Sequence, residues 1–534
     1  MCGGIPGDLL TTRPDRARVL QPAASTTRAR AGTSAGWAME AGSLRLLLGV
    51  AAVAIGTVVA SSSQAQTRSC QPPQTMSEGW SASFVAGCFD RNGRVAGGSQ
   101  VMHLVPHKGA LYAASGYWKD KRNIWYGGKD PSTGWGQVLR LSGANEPWTV
   151  DLELGPQHLR TELLKSVTFR LDRNGRPLPA PVALLIASTY EGNGSRGITF
   201  FTRDDERGSW TTNKVVNGDT GQRGENNSVR AALVYRDRVT GLESLFLSAG
   251  ILGIYAGRYD PSRPGRIAWA PAPEPGTATR TRILSIIEAN DSLFFSEGTK
   301  VFRRIDGPAP RWVEIADLSG EASSDTDRAL FQSIGGIRGL SAIDGPVPGK
   351  QSLIFMWHPG KRSSRGCVMR LDPQPDGSYT RVAEACLAQE IGKHIGGAPI
   401  AYVAGAYNNF IPLRDPRSGE LLHVVGLEAF IPATPEGRRF EPLTAHNMRT
   451  DKGGFYAGGM YGLRDARGRW RIGEVNGKYR PGQPELVSIY TVAPSPFGES
   501  GRQTIYLGGY DPDDYPSSDT AWVYSTDLAN LFGK

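Results

Sequence analysis

Seven aromatic residues, each opening a short β-like run just after a turn, constrain what this chain can fold into more than any other feature. Six are tryptophans: Trp80 (GWSASFVAG), Trp148 (PWTVDLEL), Trp210 (SWTTNKVV), Trp269 (AWAPAPE), Trp312 (RWVEIADL) and Trp470 (RWRIGEVN). Tyr379 (SYTRVAEA) stands in the long gap between the last two. Similarity recurring at 43 to 91 residues signals a repeat architecture in which each unit is one small sheet. The runs between them are short, apolar and bounded by Gly, Asn, Asp or Pro, which is the pattern of strands and tight turns.

Each unit reads as strand, turn, strand, hairpin, strand, turn, aromatic, strand. The first strands are expected at Gln100–Pro106, Val167–Leu171, Val229–Tyr235, Arg282–Glu288, Ile337–Ile343, Tyr407–Leu413 and Glu485–Val492. The fold class is therefore all-β, a seven-bladed β-propeller. The seventh unit has three strands before the chain ends, and Trp80 to Gly87 offers the missing fourth. A propeller closed by an N-terminal strand leaves no open edge. A pair of β-sandwiches would explain neither the sevenfold register nor the isolated Trp80 segment. The segments Thr202 to Trp210 (TRDDERGSW) and Asp465 to Trp470 (DARGRW) read as polar turns set before a buried aromatic.

The first 66 residues are of another kind. An apolar run, Leu44 to Ala60, has Arg45 near its start and gives way to SSSQAQ, the layout of a secretory signal peptide cleaved near Ala65. Residues 1–38 are Arg-, Ala- and Thr-rich without periodicity and read as an upstream extension, with the signal peptide at 39–66. An N-terminal segment carrying the closing strand occupies 67–98 and the propeller 99–534. A periplasmic or extracellular location follows, with no stable membrane insertion after cleavage. Beyond Cys2, the cysteines fall into two local pairs expected as disulfides, Cys70–Cys88 and Cys367–Cys386. The whole chain carries +9, with six Arg and three acidic residues in the leader, so about +6 remains. That balance admits an acidic ligand and does not argue for nucleic acid.

In a propeller, the first strands line a central channel with ligand sites at its mouth. Aligning the units on the turn after that strand superposes His103, Arg230, Arg282, Arg338 and Asn408. Arginines converging there would hold a carboxylate or sulfate through guanidinium forks. Alternatively they point between blades and pair with acids such as Glu288 or Asp344. His103 and His107 lie four apart and share a strand face. A histidine base, arginines that neutralise a carboxylate and a tyrosine donor such as Tyr112 suit β-elimination from a uronic acid. Trp118 is placed to stack on a sugar ring. No metal-binding motif, GxSxG elbow or phosphate loop is present.

As an exported seven-bladed propeller with axial His and Arg, the chain resembles the propeller polysaccharide lyases, the rhamnose–glucuronate lyases and ulvan lyases among them. The resemblance covers residues 78–530 as architecture. It implies a histidine base at His103 or His107 and an arginine neutraliser at Arg230 or Arg338. The partner it implies is an acidic polysaccharide or oligosaccharide, attacked by a monomer without a required cofactor. Some members carry a structural calcium; no acidic loop identifies one in this sequence. A glycoside hydrolase would need two carboxylates at the same mouth. A non-catalytic glycan- or protein-binding propeller would need only the groove.

Overall fold

The computed structural model describes residues 68–76, 79–117, 134–156, 158–191, 197–222, 224–321, 336–358, 366–400, 402–432, 449–451, 454–475, 486–498, 503–510 and 519–533. They belong to one compact unit, Thr67–Lys534. The expected leader and Trp118 lie outside the described residues.

Among the described residues the unit is all-β, with short helices only at Leu387–His394 and Leu528–Leu531 and a few 3-10 turns. Strands are added hairpin by hairpin in antiparallel order. Gln100–His107, Ala110–Gly116, Gln137–Leu141 and Thr149–Glu153 form one such run. His158–Leu171, Pro177–Glu191, Ile198–Asp204 and Ser209–Val216 form the next. Separate four-stranded sheets follow over 232–269, 283–317 and 336–386. A six-stranded sheet spans 402–474. Last come Ser488–Pro494, Thr504–Tyr510 and Trp522–Asp527, and the outer strand of this run pairs with Trp80–Val85 from the other end of the chain. Single backbone bridges, Tyr510 to Gln100 and Gly116 to Arg160, join this run and the first two into one thirteen-stranded array.

Local chemistry fixes the turns. In the hairpin after His158–Leu171, the Asp172 carboxylate accepts from the backbone N–H groups of Asn174 and Arg176 while Gly175 sits at φ +82°. Only glycine takes that conformation without strain, so the sequence DRNGR specifies a tight reversal.

The first strands of successive runs pack beside one another. Gln100–His107 lies next to His158–Leu171, which neighbours Ala232–Arg236, then Ile283–Ala289, then Gly336–Asp344. Ser488–Pro494 neighbours both Tyr402–Gly405 and Gln100–His107. Five of these strands break register near the same height, leaving an unpaired residue or two: Met102, Glu162, Leu284, Gly339 with Leu340, and Tyr490. Bulges of this kind re-aim side chains. In the 402–474 sheet the break is wider. Tyr402–Gly405 and Ile411–Arg414 both pair with Leu421–Pro432, and residues 406–410 between them are not strand. The strand expected over Tyr407–Leu413 is thus two strands around a loop. The strand expected at Val167–Leu171 begins nine residues earlier, at His158.

Hydrophobic cores fill the spaces between sheets. Phe169, Phe200, Leu245 and Tyr259 join the 158–216 run to the 232–269 sheet, with Phe200 edge-on to Trp269 at 5.1 Å. Ile287, Phe294, Phe355 and Trp357 do the same for 283–317 and 336–386. Each such side chain contributes roughly 1.5–3 kcal/mol of burial free energy.

Three of the spaced tryptophans also do something more specific. Arg203 faces Trp210 across a hairpin, Arg304 faces Trp312, and Arg464 faces Trp470. In each pair the guanidinium and the indole N–H bind one carboxylate from the last strand of the preceding sheet or the segment just after it. These are Asp151 for Arg203 (2.8 Å) and Trp210 (2.7 Å), Glu274 for Arg304 (2.8 Å) and Trp312 (3.0 Å), and Glu384 for Arg464 (3.1 Å) and Trp470 (3.2 Å). The same clasp thus fastens the sheets 100–153 to 158–216, 232–269 to 283–317, and 336–386 to 402–474.

Cys70 and Cys88 form a disulfide beside the Trp80–Val85 strand. The second expected disulfide is not formed. Cys367 and Cys386 are directly opposed across a hairpin, but their sulfurs stand 3.5 Å apart as thiols in contact.

Candidate functional site

The first strands bring one acid and several bases together. Arg160 and Glu162 come from the bulged start of His158–Leu171; Arg230 and Arg282 come from the residues just before the strands Ala232–Arg236 and Ile283–Ala289. Glu162 is fully buried, and its carboxylate is bound by Arg160 Nε, by Arg230 Nη1 at 3.0 Å and by Arg282 Nη1 at 3.3 Å. Burial alone would raise its pKa, but the charges of Arg160, Arg230 and Arg282 overcome that and hold it at about 2. Arg230 also donates from Nη2 to the Tyr407 carbonyl at 2.9 Å, bridging from the 232–269 sheet to the 402–474 sheet. Burial brings the Arg230 guanidinium down to about 10, still a cation at neutral pH.

Arg338 adds a fourth cation. Its guanidinium lies 4.6 Å over the Tyr407 ring, and its charge is felt at Arg230. Tyr407 is close against Tyr490 (3.8 Å between centroids), and Tyr490 stacks on Tyr510 at 5.1 Å. Burial raises the pKa of both Tyr407 and Tyr490, with the Glu428 charge acting in the same direction. Asn408 donates from its amide nitrogen to the carbonyls of Met102 and Tyr490, each at 2.7 Å. Among the described residues, four guanidiniums share the neighbourhood of two buried carboxylates, Glu162 and Glu428. Buried cations grouped in this way attract groups of the opposite sign.

His103 joins this cluster. Its Nε2 is 2.8 Å from the Glu162 backbone oxygen, so Nε2 carries the proton and Nδ1 does not. Burial, with the Arg230 charge, brings the imidazole down to about 4, so it is neutral at physiological pH. His103, Lys165, Tyr407 and Asn408 are the partly exposed members of the group; the arginines are buried.

His107 and Tyr112 do not join it. His107 bonds Ser166 Oγ at 2.8 Å through Nδ1 and Asp205 Oδ2 at 3.1 Å through Nε2, and its ring stands edge-on to Tyr112. It is buried, with both nitrogens engaged, and Tyr112 packs under Arg203. The four-residue spacing keeps the two histidines on one strand face, as expected, but roughly 13 Å apart along it, so His103 reaches the Glu162 part of His158–Leu171 and His107 the Ser166 part. Arg230, Arg282, Arg338 and Asn408 do converge, as the alignment of the units expects. The acids suggested as their partners are elsewhere: Glu288 pairs with Arg238, and the cluster's own acid is Glu162. Among the described residues, no three His, Cys, Asp or Glu side chains gather to hold a metal ion.

Arg160, Glu162, Tyr490, Glu428 and His358 were not singled out from the sequence. His358 is buried and, by burial and the Arg338 charge, held down to about 3. Glu162 and Tyr490 sit on bulges, where the period-two pattern gives no guide to the face a residue takes.

No protein-family model matches this chain, and no curated protein matches it. Solved structures align with it at low similarity. A europium-containing methanol dehydrogenase has 12% identity and a TM-score of 0.37, covering 84% of this chain and 93% of its own. A gluconolactonase from Xanthomonas campestris has 11% identity and a TM-score of 0.34, covering 86% and 96%. A β-1,3-galactosidase of family GH43 has 9% identity and a TM-score of 0.25, covering 67% and 97%. No activity is carried over from them.

Proposed function

We propose that this chain is an exported, monomeric seven-bladed β-propeller, closed by the strand Trp80–Val85, that binds an acidic glycan in its axial channel. The pairing of Trp80–Val85 with Trp522–Asp527 and the side-by-side first strands support the architecture. The Cys70–Cys88 disulfide supports a periplasmic or extracellular location. The observation that carries the ligand is the convergence of four guanidiniums at the first strands, Arg160, Arg230, Arg282 and Arg338, beside the partly exposed His103 and Tyr407. A uronate carboxylate would meet these cations through charge-assisted hydrogen bonds.

The reaction is β-elimination. Arginines that neutralise the carboxylate acidify its α-proton; neutral His103 takes that proton through Nδ1; the carbon–oxygen bond at the β-position breaks as the double bond forms. The leaving oxygen needs a proton. Tyr112 packs away from the cluster, and the donor role falls to Tyr407, partly exposed and beneath Arg338. Neither cofactor nor metal takes part, and a structural calcium has no role in these steps. A panel of uronate-containing polysaccharides tests this: a lyase releases fragments whose new double bond absorbs in the ultraviolet. Reducing ends without that absorbance would make the protein a hydrolase.

A second reading, a non-catalytic acidic-glycan binder, is favoured by His103 itself, since an imidazole held at about 4 is a weak base. Tight binding without turnover would establish it.

A further inference from the structure

A cleft of about 540 Å³ opens where the two ends of the folded chain meet, within the size range of small-molecule sites. Its wall takes Ser81 from the strand Trp80–Val85 and Ser525 and Thr526 from the strand Trp522–Asp527. Asn530 of the C-terminal helix and Asn145, from the turn before Thr149–Glu153, complete it. The cleft is apart from the arginine cluster. Thr504, also on the wall, stands just past the end of Ser488–Pro494, where Pro494 pairs with Ile505. That end is roughly 13 Å along the strand from Tyr490.

Ser81 and Ser525 are directly opposed in neighbouring strands, so their side chains share one face roughly 5 Å apart. Ser525 is only 7% exposed. Among the described residues neither serine hydroxyl nor the Asn145 side-chain amide makes a hydrogen bond. A hydroxyl taken out of water without a partner is unfavourable, and a ligand that bonds it removes that penalty. Thr526 and Asn530 behave differently and stiffen the wall. Thr526 Oγ1 donates to the Gly79 carbonyl at 2.9 Å and accepts from Asn530 Nδ2 at 2.8 Å. The charged side chains of the wall are already engaged: Asp527 accepts from the Ala529 N–H at 2.8 Å, and Arg417 is 3.2 Å from Asp415. The surface left for a ligand is one of hydroxyls and amides, which donate and accept alike, and its formal charges balance.

We propose that this cleft is a second binding site, for a short neutral oligosaccharide whose hydroxyl groups bond Ser81, Ser525 and Asn145. Sugar hydroxyls also both donate and accept, so they match such a lining, and a carboxylate would find no unengaged cation in it. The site binds without turnover, and it does not rest on the arginine cluster.

Titration of the protein with maltose, cellobiose, lactose and mannobiose, followed by ligand-observed NMR, tests this. At least one should bind at millimolar concentration or below, and excess glucuronate should not displace it. Ser525→Ala and Asn145→Ala should each weaken that binding about five- to tenfold, the loss of one hydrogen bond. Both variants should melt at the wild-type temperature without sugar, since neither side chain has a partner to lose. Absence of binding by all four sugars, binding unchanged in both variants, or displacement by glucuronate overturns the proposal. Binding as expected in a protein that turns over no polysaccharide would sink the lyase reading alone.

Discussion

Arg230 Nη1 lies 3.0 Å from Oε1 of Glu162, between the first strands of neighbouring sheets, with both side chains almost wholly buried. Glu162 is what lets three guanidiniums sit together. Removing it should be severe. Glu162→Gln should cost about 3–5 kcal/mol of stability, because it strands several buried cations. Urea unfolding would measure it; a loss under 1 kcal/mol would show that the cluster is solvated rather than buried.

Acid should destabilise the protein in two stages. His103 is held at about 4 in the fold against 6.5 when free, so the fold favours its neutral form. Its contribution is complete above 6.5 and is lost as pH falls toward 4. Glu162 is held at about 2 against 4.5, so its contribution is present above 4.5 and is lost as pH falls toward 2. His103→Phe should make the upper part of the stability–pH curve less steep, with His107, His358 and His423 still contributing there, and leave the lower part. Melting temperatures across that range would show it, and an unchanged upper part would contradict the placement of His103.

The two histidines should separate cleanly. His107→Ala breaks bonds to Ser166 and Asp205 and should cost about 1–3 kcal/mol while leaving acidic-glycan affinity intact. His103→Ala should abolish elimination with little change in affinity. Calorimetry on both variants checks this, and equal loss of turnover in the two would put both at the site.

The Arg–Trp clasps should act as units. Glu274→Gln should cost about 3–5 kcal/mol, and Trp312→Phe about 1.5–3 kcal/mol, because each breaks a buried bond to charge. The two losses should not add, since both act on one carboxylate. Additive losses in a double-mutant cycle would show that the indole and the guanidinium bind independently.

Cys367 and Cys386 should be alkylated after unfolding without reductant, while Cys70 and Cys88 remain protected. Mild oxidation of the folded protein should then join them, since they are opposed across one hairpin. Failure of the oxidised protein to lose two reactive thiols would contradict that placement.

Much of this was legible in the sequence where the pattern is local. The hairpins announce themselves through short polar turns such as HKG, RDRVTG, ANDS, DGPVPGK and RDPRSG, and aligning the units on those turns brought His103, Arg230, Arg282, Arg338 and Asn408 into one place. TRDDERGSW and DARGRW already mark the clasp, with its arginine second in the one and just ahead of the other and the tryptophan at the end, but the carboxylate each binds lies in another part of the chain. Glu162 was hidden for a different reason. Its strand begins at His158, and a bulge interrupts the alternation that would have exposed it. Bulges and contacts between sheets are settled by packing, which a strand's own sequence does not encode.

The most direct test of the central claim is turnover of uronate-containing polysaccharides by the mature protein, followed by ultraviolet absorbance and compared with the Arg338→Gln and His103→Ala variants. The account predicts a rising absorbance in the wild type, a raised KM in Arg338→Gln and no turnover in His103→Ala. Undiminished turnover in His103→Ala, or no binding of any acidic glycan by the wild type, would contradict it.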